Sequence, residues 1–438
     1  MKPAAWNLSQ RRQRGATTLV VVMALFLVVA MLAAFASRNM VYEQRIASNY
    51  YRAGVAYEAA EAGVEWALGM VNADRIDTTC QNNAAGDSLR ERYLNINQSS
   101  RAITPVSASP NVMLACHFTD ANTWTCQCPT PTAAAPGALV MPVLGASGLQ
   151  PMFGVGFKAG TRPGTARLTV IGCTGLITSC ANNLTAAGNA LGKAEQAVDI
   201  ALVSAVKMPP ISPLVAKGLI DPGSPAALGL FNSAPNGPGM LVQTGRLLSL
   251  ADLAHAEGIP GTPASDYIIT ADTAMRDQTV ELFFASFFGM NKDYYRNQPK
   301  MRQIAADVCG SDCSDPLQTQ IAAGAQMFWL NAASTFSSNV TLGGPTNPVV
   351  IIVDGDLTIS QPIQIYGLLY VRGNLSWTNP SGAGIQATVT GAVVAEGNVT
   401  VAGPGPVNMV YDGTVMQILN NQRGSFVRVP GSTWDQAR

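Results

Sequence analysis

The sequence predicts an α+β fold: a long N-terminal transmembrane α-helix, an antiparallel β-sheet head, a helical insertion, and a C-terminal β-rich repeat that is a short β-helix or a meander. Three observations predict it. No charge interrupts the chain between Arg14 and Arg38. Alternating, strand-like segments separated by Gly-rich connections begin at Gly154. A Gly-Asp or Gly-Asn turn recurs between short apolar segments after residue 345. At 438 residues the chain exceeds what one core serves, since single cores seldom grow past ~250–300 residues. We therefore divide it into a leader (1–15), a transmembrane and amphipathic helix (16–73), a cysteine-bearing β head (74–207), a mainly helical region (208–344) and a β-rung repeat (345–438).

Composition narrows the function classes. Only 12% of residues are charged, against ~25% in ordinary domains, and 27 Lys+Arg balance 27 Asp+Glu, so no global field favours nucleic acid or an acidic substrate. Abundant Gly (41) and Pro (27) suit a turn-rich exported β protein. All eight cysteines follow the apolar run: Cys80, Cys116, Cys126, Cys128, Cys173, Cys180, Cys309 and Cys313. An even count in that position predicts disulfides in an oxidising compartment, with Cys173–Cys180 and Cys309–Cys313 the local pairs expected from their short loops.

The run Ala16 to Ser37 is long enough to cross a bilayer, ~33 Å as a helix. Arg11, Arg12 and Arg14 precede it with no acidic residue, which places the leader in the cytoplasm and the remainder outside. Ala34-Phe35-Ala36 also offers a signal-peptide cleavage site, but the run exceeds the usual ~7–15-residue apolar region and helical patterning continues past it. A plain membrane anchor is the other alternative. From Ser37 to Asn72 there is no Pro, and Ala47, Tyr51, Val55, Ala59, Ala62 and Trp66 recur at helical spacing, predicting one unbroken rod of ~85 Å with a wet amphipathic half.

Arg12, Gln13, Arg14, Gly15 and Ala16, the apolar helix behind them, and the stretch Tyr57 to Glu65 resemble the N-terminal region of PilX-type minor pilins of the type IV pilus. The resemblance implies cleavage by a prepilin peptidase between Gly15 and Ala16, methylation of Ala16, and a pilin-type sheet on the helix. It departs from major pilins at one place. They carry Glu at the fifth mature position, understood to neutralise a neighbour's amino terminus, whereas this chain has Val20. PilX-like pilins and the tip-located K pseudopilin of type II secretion share that loss, so Val20 implies a subunit at or near the pilus tip.

The remaining motifs are weak. Cys116-His117 with Cys126 and Cys128 lacks zinc-ligand spacing. Ser204 and Lys207 match Ser-x-x-Lys without its accompanying motifs. Three strands are expected near Val155–Lys158, Ala166–Gly172 and Gln196–Val203, and helices at Leu247–Ala256, Thr273–Phe288, Asp293–Val308 and Pro316–Ala333. Phe283, Phe284, Phe287 and Phe288 form an apolar ridge that reads as core. Asp307, Asp312 and Asp315 lack the calcium-loop spacing and its closing Glu.

Segments 349–359, 368–377 and 392–401 align on Gly355, Gly373 and Gly397, with Gly367 and Gly391 six residues ahead of the last two. Stacked rungs or an antiparallel meander both accommodate this. With His117 and His255 the only histidines, no nucleophile, base and orienter set assembles, so an enzyme is disfavoured. The reading is a minor pilin without cofactor or metal. Its expected partners are other minor pilins, the assembly machinery, prepilin peptidase and the inner membrane, and its expected locations the inner membrane and then the pilus. A tip adhesin is the alternative.

Overall fold

The computed structural model describes residues 13–107, 113–119, 123–131, 150–175, 192–233, 237, 239–380 and 385–437. Helix α1 spans Gln13–Val71, 59 residues and ~88 Å at 1.5 Å per residue. Its described side chains up to Tyr51 are exposed, and the last third is packed. The packed face comprises Ala56, Ala59, Ala60, Gly63, Val64, Ala67 and Val71. This is a rotation from the expected stripe: Ala47 and Tyr51 are exposed, and Val55, Ala62 and Trp66 only half-buried. Close approach explains the difference. A Cβ at Gly172 would overlap the Ala56 carbonyl, and one at Gly63 would meet Val170 and Phe153 at 2.6–2.8 Å, so the smallest residues, not the largest, face the sheet.

That sheet is antiparallel and, among the described residues, seven-stranded. Its order is Gly424–Arg428, Lys193–Ser204, Thr165–Cys173, Met152–Ala159, Leu114–Phe118, Trp124–Gln127, with Trp434–Ala437 also on Lys193–Ser204. The three expected strands are all present. In Lys193–Ser204 every second residue is buried, the alternation of a sheet with one face on a core.

From Leu214 to Val410 the pairing is parallel throughout. This decides between the two expected repeat architectures in favour of a β-helix. Each full rung has three sides. The strand Val349–Val353 turns at Gly355 into Leu357–Ile359, and the chain then enters Gln364–Val371, which bends at Gly367 onto the next level. Gly367 (φ +141°) and Gly391 (φ +137°) stack at this bend, where a Cβ would overlap the carbonyl of the rung beside it.

The side carrying Val349–Val353 is buried on both faces. Val349, Ile351 and Val353 point into the solenoid core, while Val350 and Ile352 point outward under a helical layer. This is why the repeats read as continuous apolar runs. The outer layer contains the helices Val280–Phe288 and Gly413–Asn421, which press Phe283, Phe284, Phe288, Val415, Met416 and Leu419 onto Trp329, Tyr370 and Val394. The expected phenylalanine ridge is therefore core.

The rungs are not stacked in chain order. Leu214–Ala216 pairs with Val393–Ala395, and Leu228–Phe231 with Val407–Val410, so the earliest rung rests on the latest. The chain enters mid-stack, builds outward to His255–Glu257 and Ile268–Ile269, and crosses outside through the helix Val280–Phe288. It restarts at the far end with Met301–Ile304 and grows back to the seam. Ser204 and Gly424 are partners in the head ladder, so the solenoid begins and ends on adjacent head strands.

Two expectations change accordingly. The region 208–344 is not mainly helical: Leu247–Ala256 is a 3-10 turn (Leu250–Asp252) followed by the strand His255–Glu257, and Asp293–Val308 contains the strand Met301–Ile304. Helix Ser314–Ala322 stops before Met327–Leu330, itself a strand. Nor is 345–438 one repeat, since Gly424–Arg428 and Trp434–Ala437 return to the head. Short rungs with apolar residues on both sides look helical because neither period dominates.

Candidate functional site

The first candidate is the projecting half of α1. Leu19, Phe26, Met31 and Phe35 are 62–75% exposed and no other described element covers them. The helix is long and apolar enough to cross a membrane, with mean hydropathy 3.0 in its most apolar window. Gly15 and Ala16 lie in its first turns, and Val20 is exposed on the apolar cylinder. Between this cylinder and the head, Tyr42, Ile46, Tyr50 and Tyr51 are also exposed.

The cysteines brace the head and one end of the solenoid. Cys80–Cys128 and Cys116–Cys126 are disulfides, pairs that spacing alone did not single out, and Cys309–Cys313 is bonded as expected. Cys173 is also disulfide-bonded, while Cys180, its expected partner, lies outside the described residues. These bonds engage the thiols of the proposed zinc set, and no metal-binding cluster occurs among the described residues. Asp312 is not a calcium ligand in arrangement but a staple. Burial pushes its carboxyl up, and hydrogen bonds from Ser314, Ser338 and Ser337 outweigh that and hold its pKa at about 2.

Sequence reasoning missed a buried polar junction between α1, head and solenoid. Lys300 Nζ donates to Asp74 (2.9 Å) and to the Ala73 carbonyl (2.8 Å), and Arg302 reaches the other Asp74 oxygen. Burial first, then Arg90, lowers the Lys300 pKa to about 8 against the pull of Asp74. Arg90 is buried over the Phe426 ring and donates to the Val71 and Gly424 carbonyls. Asn72 pairs with the Phe426 backbone in both directions, at 2.8 and 2.9 Å. Arg423 bonds Asn347 of the solenoid and Glu91 of the head.

A second missed feature is a charge ladder. Asp354, Arg372, Glu396 and Lys217 occupy the same position on four stacked rungs, each before the turn glycine, so their signs alternate along the axis. Arg372 bonds Asp354 and, at 3.3 Å, Glu396. Burial raises the Glu396 pKa despite Arg372. The turns repeat the order: Gly373 donates to Gly355, Gly397 to Gly373 and Gly218 to Gly397, at 2.9–3.1 Å. Leu214 to Asp221 is thus a further copy of the repeat, recognisable in hindsight by Val-Ala-Lys-Gly beside Val-Ala-Glu-Gly at 394–397.

Among the described residues, the catalytic candidates singled out in the sequence do not come together. Ser204 is buried in its strand whereas Lys207 is exposed. His117 is buried in the head, its pKa lowered by burial, and His255 stacks on Phe231 in the solenoid.

Comparison with known proteins bears on the helix. Residues 14–65 match the model of a family described as PilX N-terminal, the part of the chain comprising the projecting helix and the start of its packed face. No curated protein matches the chain. Among solved structures, an ice binding protein from an Antarctic bacterium, Flavobacteriaceae, is similar at 12% identity and a TM-score of 0.22, over 48% of this chain. The likeness spans 50% of that protein's length. The family match therefore falls on the bare apolar helix and not on the head or the solenoid.

Proposed function

We propose that the chain is a structural subunit of the type IV pilus that enters the inner membrane, is cut by prepilin peptidase between Gly15 and Ala16, is methylated on Ala16, and joins other minor pilins near the tip. The observation that carries this reading is the uncovered apolar half of α1 within the family match, since a helix so exposed needs lipid or neighbouring helices as solvent. The amino terminus is cytoplasmic and head and solenoid are exported, in keeping with the disulfides.

Val20 supports the tip. A carboxylate in hydrocarbon costs ~2.5–3.5 kcal/mol on insertion scales unless paired, and a subunit without one has no salt bridge to make above it. Crowding by the solenoid adds to this. Immunogold labelling of the solenoid should mark filament ends; even labelling along purified filaments contradicts tip placement, and abundance in the membrane with absence from filaments favours an anchor. The inserted solenoid favours a second role as a tip binding module, because both its ends are held on adjacent head strands and the rest projects as a separate core. We take the functional units as α1, the head closed by residues 424–437, and the solenoid of about 207–421.

A further inference from the structure

Among the described residues, one side of the solenoid carries no helical cover. It consists of Ser334–Phe336, Leu357–Ile359, Leu375–Thr378, Val399–Ala402 and Ile220–Asp221, a five-stranded parallel sheet. Inward residues alternate with outward ones: Leu357, Leu375 and Val399 enter the core, as do Ile359, Trp377 and Val401. The outward row between them is Thr335, Thr358, Ser376 and Thr400, in register on successive rungs, ending at Asp221. At ~4.8 Å per strand, the four hydroxyl positions span ~14 Å, and Asp221 extends the row to ~19 Å. The flanking turn row, Asp356, Asn374 and Asn398, is exposed and polar, and Thr378 and Ala402 flank the other side. No large apolar side chain stands out from these strands, and the charges, Asp356 and Asp221, stand at the margins.

Beside the strip, past the ends of the strands Leu375–Thr378 and Val399–Ala402, the corner of these rungs holds a cavity of about 250 Å³. Its walls include Pro362, Pro380, Pro404 and Pro406 with the amides of Gln386 and Asn408. None of its lining residues is charged. Pyrrolidine rings offer C–H faces, and amides offer both donors and acceptors.

We propose that this strip and the cavity beside it bind a neutral polysaccharide, with one sugar ring in the cavity. Charge and shape select the ligand class. A polyanion finds no cation on the strip, and an apolar peptide finds no large apolar side chain on its outward row, the exposed Leu219 standing at the end of the turn row. A chain of neutral hydroxyl groups matches a row of hydroxyls that both donate and accept, and the C–H face of a sugar ring matches the proline wall. The inference rests on the binding-module role above and names its ligand class.

The test is affinity electrophoresis of the detergent-solubilised full chain through gels containing amylose, soluble β-1,4-glucan, dextran or glycol chitin, with alginate as the anionic control. The expected result is retardation by at least one neutral polymer and none by alginate. Thr358→Arg and, separately, Asn408→Ala should weaken retardation tenfold or more, with unchanged circular dichroism and unchanged assembly into filaments. Loss of fold in Thr358→Arg would leave Thr378→Arg, on a fully exposed position, as the strip variant. Retardation by no neutral polymer, or retardation that survives the strip and cavity variants, overturns the proposal. If filaments still incorporate the protein in that case, the pilin reading stands and only the glycan falls.

Discussion

The head and the solenoid bury similar residues by opposite means. The head lays one face of an antiparallel sheet on α1 and pins its loops with Cys80–Cys128 and Cys116–Cys126. The solenoid repeats one turn, so its backbone hydrogen bonds, its Asp/Asn turn ladder and its alternating charges all recur at each level. In the head, register is set once by the hydrophobic alternation of each strand. In the solenoid it is set again on every rung, including across the seam between Val393 and Leu214. A local defect should therefore spread through the solenoid and stay local in the head.

The largest test of that contrast is Gly391→Val. A Cβ there overlaps the Gly367 carbonyl at φ +137°, and the loss should exceed ~4 kcal/mol. Limited proteolysis should then degrade 207–421 while the head disulfides stay formed. A resistant solenoid would mean the rungs tolerate local widening. Next, Arg372→Ala strands Glu396, whose side chain is 3% exposed, and should destabilise the solenoid by about 3–5 kcal/mol in urea titration. An effect below ~1 kcal/mol would reduce the ladder to decoration.

A smaller effect is expected in the head. Cys116→Ser with Cys126→Ser opens a short loop and should cost ~2–3 kcal/mol, moving the unfolding of the head and not that of the solenoid. The smallest concerns the solenoid cap. Because the folded pKa of Asp312 lies below its unfolded value, its stabilisation is present above pH ~4 and is lost as pH falls through about 2. Asp312→Asn should flatten the acid limb of the solenoid's melting temperature by a difference worth no more than ~1 kcal/mol. Lys300 has the same sign in a different pH window, because burial disfavours its charged form. Its lowered pKa means that the wild type gains stability relative to Lys300→Met as pH rises from about 8 towards 10.5.

The sequence carried the helix, the three long head strands and the three best rungs, because each has an unbroken period or a repeated Gly-Asx turn. It did not carry Leu214–Asp221 as a rung, since Lys217-Gly218-Leu219 lacks the Asx that marks the other turns. Nor did it reveal that the chain enters the stack in the middle, because pairing between Leu214 and Val393 leaves no local pattern. The packed face of α1 was misplaced because large apolar residues were weighted over Ala56, Ala60 and Gly63, which win where backbones must approach. The disulfide pairs of the head were not legible, since distant cysteines are brought together only by the sheet.

Everything assigned to the solenoid presupposes that α1 reaches the filament as a processed pilin helix. Intact-mass and N-terminal peptide mass spectrometry of the protein recovered from membranes and sheared filaments tests this most directly. The account predicts a chain beginning at N-methylated Ala16, with the cysteines oxidised. A chain retaining Met1, or one beginning at Ser37, would contradict it.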